Sequence, residues 1–257
     1  HNADRSPFYR TAPGYFFLRK FLHDPKTPDQ HKTVYRAPRR QKYLKNENVL
    51  VVPRLLIDDL DISGFSFGYK KVIDAFKSRY SEYVTRKYAE NNLHLKQLVS
   101  YVIVEKDDRY LTYIRGGFSN ANQDLKGKRS LGFGGHVTDD DFDLISSDPV
   151  GAITSACREI SEELGLSQLR YDASMLDRFK IVGAVNNDSI EEGQKHIALV
   201  IRFTLTEYET WKKGELSINT PTFLTIKEAK RQRDHFELWS QDILDVYNEK
   251  RQTSALE

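Results

Sequence analysis

Three glutamates, Glu159, Glu162 and Glu163, stand at i, i+3 and i+4 in the run Arg158-Glu159-Ile160-Ser161-Glu162-Glu163-Leu164-Gly165-Leu166. On a helix that spacing projects three carboxylates from one face within a single turn. Like charges so placed repel, which destabilises the helix unless cations lie between them. Hard divalent ions such as Mg²⁺ take oxygen ligands and keep waters or substrate phosphates in their other positions. Ile160 and Leu164 fall on the opposite side, to be buried against a sheet, and Gly165 ends the helix. A lone E-x-x-E-E is more simply read as a solvated acidic face. What favours a site is the upstream Gly132-Phe133-Gly134-Gly135-His136, a glycine-rich turn that brings backbone close to this helix.

Together these residues resemble the Nudix box, G-x5-E-x7-R-E-U-x-E-E-x-G-U with U aliphatic. Its C-terminal half is matched at every specified position, by Arg158, Glu159, Ile160, Glu162, Glu163, Gly165 and Leu166, and Gly135 resembles the opening glycine. The likeness extends over roughly residues 97 to 250. The wording around the turn, from Gly127 to His136, is most similar to a Nudix branch described as predicted phosphoesterases.

The resemblance implies an α/β/α sandwich with a mixed sheet, and hydrolysis of the diphosphate linkage of a nucleoside diphosphate derivative with Mg²⁺ or Mn²⁺. It implies metal ligation by Glu159, Glu162 and Glu163 and by the Gly134 carbonyl, with Glu162 and Glu163 catalytic. By the same resemblance Arg158 orients the glutamates through a salt bridge, and Gly135 and Gly165 are structural. A general base is also needed; Glu163 is one candidate, and Glu191 and Glu192 in a polar loop are others. Lys128, Arg129 and Arg115 are candidate phosphate contacts. The implied partner is a small-molecule nucleotide derivative, and a homodimer is an assembly that many such proteins adopt.

The pattern is not matched throughout. From Gly135 to Arg158 is 23 positions where the box expects 14, and the nine extra residues fall within Val137 to Gly151. Counted back from Arg158, the position of the first box glutamate holds Val150. Asp143 and Asp148 are candidate substitutes, although a solvated acidic loop is the simpler reading of the acids there. This departure keeps open a second function class, a Nudix-fold nucleotide sensor without turnover. A third, a diphosphate isomerase related by fold, needs a cysteine at the site, and Cys157 is misplaced for it.

The chain that must position these groups has 257 residues, 39 Lys and Arg against 37 Asp and Glu, and a net charge of +2. That total argues against nucleic acid as a partner. It conceals a division, because residues 1 to 45 carry +8 and the remainder −6. The basic leader, broken by prolines 7, 13, 25, 28 and 38, reads as an extension or linker; residues 46 to 96 as an addition to the core; and 97 to 257 as the Nudix domain. The acids around the three-glutamate face make it too negative for a diphosphate without cations. One cysteine excludes an intrachain disulfide, no Cys/His cluster offers a tetrahedral zinc site, and no apolar run is long enough for a membrane span, which points to the cytoplasm. His136 and His196 read as structural histidines.

Strands are expected at 49–52, 98–104, 109–114, 178–185, 197–205 and 222–226, and helices at 69–80 and 238–249 besides the box helix. This alternation predicts an α/β or α+β fold.

Overall fold

The structure is a computed structural model that describes residues 7–12, 15–32, 47–116, 125–142, 148, 150–166, 178–207, 209, 211 and 218–251. The chain divides into two compact units, His1–Tyr43 and Leu44–Glu257. In the first, β1 (Phe8–Ala12) pairs antiparallel with β2 (Tyr15–Leu18). Two three-residue helical turns follow, at Arg19–Phe21 and Asp29–His31, and Phe17 stacks on His31 with ring centres 4.9 Å apart.

The second unit runs β3 (Asn48–Pro53), α1 (Arg54–Asp58), β4 (Gly64–Ser66), α2 (Tyr69–Phe76), β5 (Glu82–Thr85), α3 (Arg86–Glu90), β6 (Leu95–Lys106) and β7 (Arg109–Arg115). It continues with β8 (Arg129–Ser130), β9 (Gly132–Phe133), α4 (Ala152–Leu164), β10 (Phe179–Asn186), α5 (Glu191–Lys195), β11 (His196–Thr204), β12 (Ile218–Leu224), α6 (Ile226–Arg231) and α7 (Leu238–Arg251). Its ten strands form one mixed sheet with the main order β12-β7-β6-β11-β10-β4. β6 and β11 are parallel, and the other pairs are antiparallel. No described helix is long and apolar enough to cross a membrane.

The twelve-residue β6 organises the unit. Its alternation sends Leu98, Val102 and Val104 to one face, where they pack with Ala156, Ile160 and Leu164 of α4 and Val72 and Phe76 of α2. Tyr101 and Ile103 go to the other face, with Phe236 and with Ile243 and Leu244 of α7. Period-two alternation on a central strand therefore yields the α/β/α layering. Burying each such Leu or Ile side chain contributes about 1.5–3 kcal/mol. The β6–β7 turn consists of Asp107 and Asp108 at φ 51 and 57. Two consecutive positive φ values make the tight mirror-type turn whose twist suits a hairpin, and aspartate tolerates them.

The expected strands and helices are present, with some boundaries moved. The strand expected at 222–226 runs over Ile218–Leu224, since Thr225 caps a helix that begins at Ile226, and the strand expected from 98 begins at Leu95. The helix expected to reach Tyr80 ends at Phe76. The Ser78 hydroxyl accepts from the Tyr80 N–H and the Ser78 carbonyl from the Ser81 N–H, so serine chemistry diverts the backbone into a turn, and Tyr80 lies exposed.

Candidate active site

α4 is fixed at both ends by local chemistry. It starts from Gly151 at φ 73 and stops at Gly165, whose φ of 60 ends the helix in the left-handed region. Asp148 caps the first turn: its Oδ2 accepts from the N–H groups of Ile153 at 2.7 Å and Thr154 at 2.9 Å. A carboxylate there also meets the positive end of the helix dipole. Burial pushes the Asp148 carboxyl above its usual range against the pull of these bonds.

The glycine turn meets the glutamates from the other side. Gly134 has φ 136, and a Cβ there would lie 2.0 Å from the Ser100 carbonyl oxygen, so only glycine fits. Its N–H donates to Glu163 Oε2 at 3.2 Å. A Cβ on Gly135 would fall 2.5 Å from Glu159 Oε1, so the missing side chain makes room for that carboxylate. Ser155 ties the helix to the sheet, with its hydroxyl 3.1 Å from that of Ser100 and 3.2 Å from the His136 carbonyl. Glu163 is buried, Glu159 half-buried and Glu162 exposed. The structure thus brings Gly134, Gly135, Glu159 and Glu163 together and leaves Glu162 on the open side of the same turn.

Arg158 holds this arrangement. Its Nη1 donates to Glu159 Oε1 at 2.6 Å, its Nε to Asp141 Oδ1 at 2.9 Å and its Nη2 to Asp141 Oδ2 at 2.8 Å. Nη2 also donates to the His136 carbonyl at 3.2 Å. Burial opposes the guanidinium charge, and Asp141 and Glu159 more than reverse that. The two-point fork to Asp141 is the strong geometry for an arginine–carboxylate pair.

This pairing corrects the reading of the first box position. Counted forward from Gly135, the sixth residue is Asp141, so the acid is present one methylene shorter, and the nine extra residues follow it. Val150, at 3% exposure, is a core residue. The acids between Val137 and Gly151 are not uniformly solvated either, although Asp139 and Asp140 are exposed. Asp141 and Asp148 are each 2% exposed, and Asp139 accepts from the Asn48 side chain at 2.8 Å. Half-buried Tyr83 has its phenol pushed up to about 12 by burial and by Asp141, Asp139 and Asp148. Asp143 lies outside the described residues.

The three basic candidates each have a protein partner. Arg115 Nε lies 2.8 Å from Glu237 Oε2; burial opposes its charge, and the carboxylate outweighs this. Glu237 also accepts from Tyr101 at 2.8 Å and Ser130 at 2.6 Å. Arg129 donates to the Thr112 hydroxyl at 2.8 Å, and Lys128 to the Asp234 carbonyl at 3.0 Å. Glu191 is paired with Lys195 at 2.7 Å, and Glu192 stands beside His196. Cys157 is buried in the core, as a packing residue.

Two features escaped the sequence. Lys96, fully buried, donates to Asn186 Oδ1 at 2.8 Å, to Asp188 and to the Gly193 carbonyl, pinning the loop that leads into α5. Burial is the main cause that lowers its pKa. A run of alternating residues in a strand gave no sign that this lysine turns inward. The second is a cluster of His136, His196 and Glu90, drawn from segments far apart in the chain.

No family profile matches the chain, and no curated protein matches it. Solved structures do. Tm1382, provisionally described as a Nudix hydrolase, is 23% identical, with a TM-score of 0.59 covering 78% of this chain and 98% of that one. A bifunctional NMN adenylyltransferase/ADP ribose pyrophosphatase from Francisella tularensis is 14% identical at TM-score 0.41, covering 60% of this chain and 41% of that one. A MutT NUDIX hydrolase from Burkholderia pseudomallei is 18% identical at TM-score 0.36, covering 51% and 84%. With its central mixed sheet, its glycine turn and α4 packed across β6, and its likeness to Tm1382, this chain has the Nudix fold.

Proposed function

We propose that the protein is a Nudix-type diphosphohydrolase that uses Mg²⁺ or Mn²⁺ to cleave the pyrophosphate linkage of a small nucleoside diphosphate derivative. The observation that carries this reading is the seating of Glu159 and Glu163 against the backbone of Gly134 and Gly135, with Glu162 open on the same helical turn. The donors are carboxylate oxygens, which suit a hard divalent ion rather than a soft one.

Glu159, Glu162 and Glu163 would hold the ion, with the Gly134 carbonyl beside them. Held by these residues, such an ion would supply Lewis-acid stabilisation of phosphate charge and a lowered pKa for the attacking water. Arg158, fixed by Asp141, orients Glu159, and the Gly134 N–H orients Glu163. Glu163, the most buried of the three, is assigned to take the proton of the attacking water, with Glu191 and Glu192 the alternative bases. Exposed Glu162 faces the incoming substrate. Of the basic groups, Lys128 and Arg129 are better placed for a phosphate than Arg115, since their partners are a neutral carbonyl and a neutral hydroxyl and not a carboxylate. Asp141, six residues after Gly135 and paired with Arg158, supports turnover over a sensor by supplying an acid at the first box position, while the nine-residue insertion after it is the departure that still favours a sensor.

The test is a panel of nucleoside diphosphate derivatives incubated with Mg²⁺ or Mn²⁺ and scored for released phosphate or nucleotide. The proposal expects metal-dependent turnover of at least one. Binding of a panel member with no turnover under either metal contradicts it and returns the sensor reading.

A further inference from the structure

Gly135 and His136 are consecutive in an extended segment that bridges β6 at Val99. Since Gly135 faces Glu159 on α4, the pleat turns the His136 side chain to the opposite face of the sheet. On the far edge of β6, the parallel register sets His196 level with Gln97, two residues from Val99 and so on that same face. α3 ends there too, at Glu90, packed by Ala89 beside Val49 and Val51. Three segments therefore converge on one point across the sheet from the box glutamates.

The geometry at that point has a definite size. The two Nε2 atoms are 3.0 Å apart, and Glu90 Oε1 lies 3.8 Å from that of His136 and 3.7 Å from that of His196. The carboxylate is thus too far from either ring for a hydrogen bond. A triangle with those sides has a circumscribed circle of radius about 2.0 Å, which is the length of a zinc–nitrogen or zinc–carboxylate bond. Its centre is equidistant from all three donors, while an octahedral ion with three facial ligands would need every edge near the shortest one. Tetrahedral bonds of that length span edges of about 3.3 Å, so a four-coordinate ion is seated when the His–His edge opens and the Glu90 edges close by roughly 0.3–0.5 Å, which the more open Glu90 side chain can supply.

The donors are also set up electronically. His196 Nδ1 is 2.7 Å from the Glu192 carbonyl, which can only accept, so the ring hydrogen is there and a neutral ring carries its lone pair on Nε2. Such a backbone carbonyl behind the ring is the usual outer support of a metal-bound histidine. Both rings are largely buried, and Glu90, kept beside Arg86 at 3.5 Å, is the more open edge.

We propose that Glu90, His136 and His196 form a second metal site, for Zn²⁺ or a similar borderline transition ion, separate from the Mg²⁺ site of the box. Mixed imidazole and carboxylate ligands select such an ion over Mg²⁺. Bound there, it cross-links α3, the segment after the glycine turn and the start of β11. It thereby steadies, from behind, the backbone of the turn that carries Gly134 and Gly135. This site stands whether or not the protein hydrolyses nucleotides.

The full-length chain, freed of metal with a chelator, is titrated with Co²⁺ as a visible probe and then with Zn²⁺ as a competitor, and the thermal midpoint is followed. The expected result is one tight equivalent with the intense visible bands of a four-coordinate site, displaced by Zn²⁺, and a raised midpoint. It should persist in Glu159→Gln/Glu163→Gln and weaken on the order of 100-fold in His196→Gln, since loss of an outer support alone costs 10–100-fold. If His196→Gln fails to fold, Glu90→Gln, which preserves shape, must show the loss. Absence of a tight equivalent, or one unaffected by the His196 and Glu90 changes, or one lost with the box glutamates, overturns the proposal and leaves a hydrogen-bonded histidine pair.

Discussion

In one extended segment beside β6, two neighbouring residues serve opposite faces of the sheet. Gly135, by having no side chain, admits Glu159 from α4; His136, by having one, meets His196 and Glu90 across the sheet. The first face is made from one helix turn and one glycine turn, and its donors are oxygens. The second is made from three segments that only strand register brings together, and two of its three donors are nitrogens. Donor chemistry and assembly differ together: a local motif presents hard ligands at an open surface, and a long-range convergence presents borderline ligands in a buried one. If both readings hold, the two sites separate under mutation.

The largest expected effect is on that separation. Glu163→Gln should lower turnover by on the order of 10²–10³-fold, comparable to removal of a key charge-stabilising group, while leaving Co²⁺ binding at the histidines intact. Paired steady-state assays and visible titrations on the same preparation read both. Loss of both together would break the distinction between the faces.

Next comes the group that touches both. Arg158 contacts Glu159 and Asp141 on one side and the His136 carbonyl on the other. Arg158→Ala leaves Asp141, 2% exposed, without its forked partner, and should destabilise the fold by about 2–3 kcal/mol. The full cost of a buried pair is not expected, since Arg158 is itself partly exposed and Asp141 keeps the N–H and hydroxyl of Thr138. Denaturant midpoints at constant slope measure this.

A smaller change acts on one face only. Gly135→Ala directs a methyl at the movable end of Glu159, so turnover should fall roughly tenfold, equivalent to about 1.4 kcal/mol in the barrier, with the thermal midpoint nearly unchanged. A similar loss of histidine-site Co²⁺ binding would show that the turn moves as a whole. The smallest effect is expected from Asp148→Ala. Removing the cap of α4 should cost about 1 kcal/mol of stability and alter neither site's chemistry, as read by urea unfolding and by the two assays.

How much of this was legible in the sequence follows the same division. The alternating run from Leu98 to Val104 showed a two-faced strand, and the i, i+3, i+4 glutamates showed a helix turn with three carboxylates on one face, since both are local periodicities. Asp141 was also legible, but only by counting from the glycine side. Counting from Arg158 passed through an insertion, and a fixed spacing fails wherever a loop lengthens without moving its ends. Arg115 looked like a phosphate contact because exposure cannot be read from type, and its partner Glu237 arrives from a distant segment. Glu90, His136 and His196 lie 46 and 60 residues apart in succession, and only the pairing of β6 with its two neighbours makes them adjacent.

The central claim is that the α4 glutamates perform metal-dependent diphosphate hydrolysis, and its most direct measurement is kcat against Mg²⁺ concentration for the wild-type chain and for Glu162→Gln/Glu163→Gln. Saturable Mg²⁺ activation is expected in the wild type and almost none in the double variant, with both folded by circular dichroism. Wild-type rates in the folded double variant, or wild-type turnover unaffected by a chelator, would contradict it.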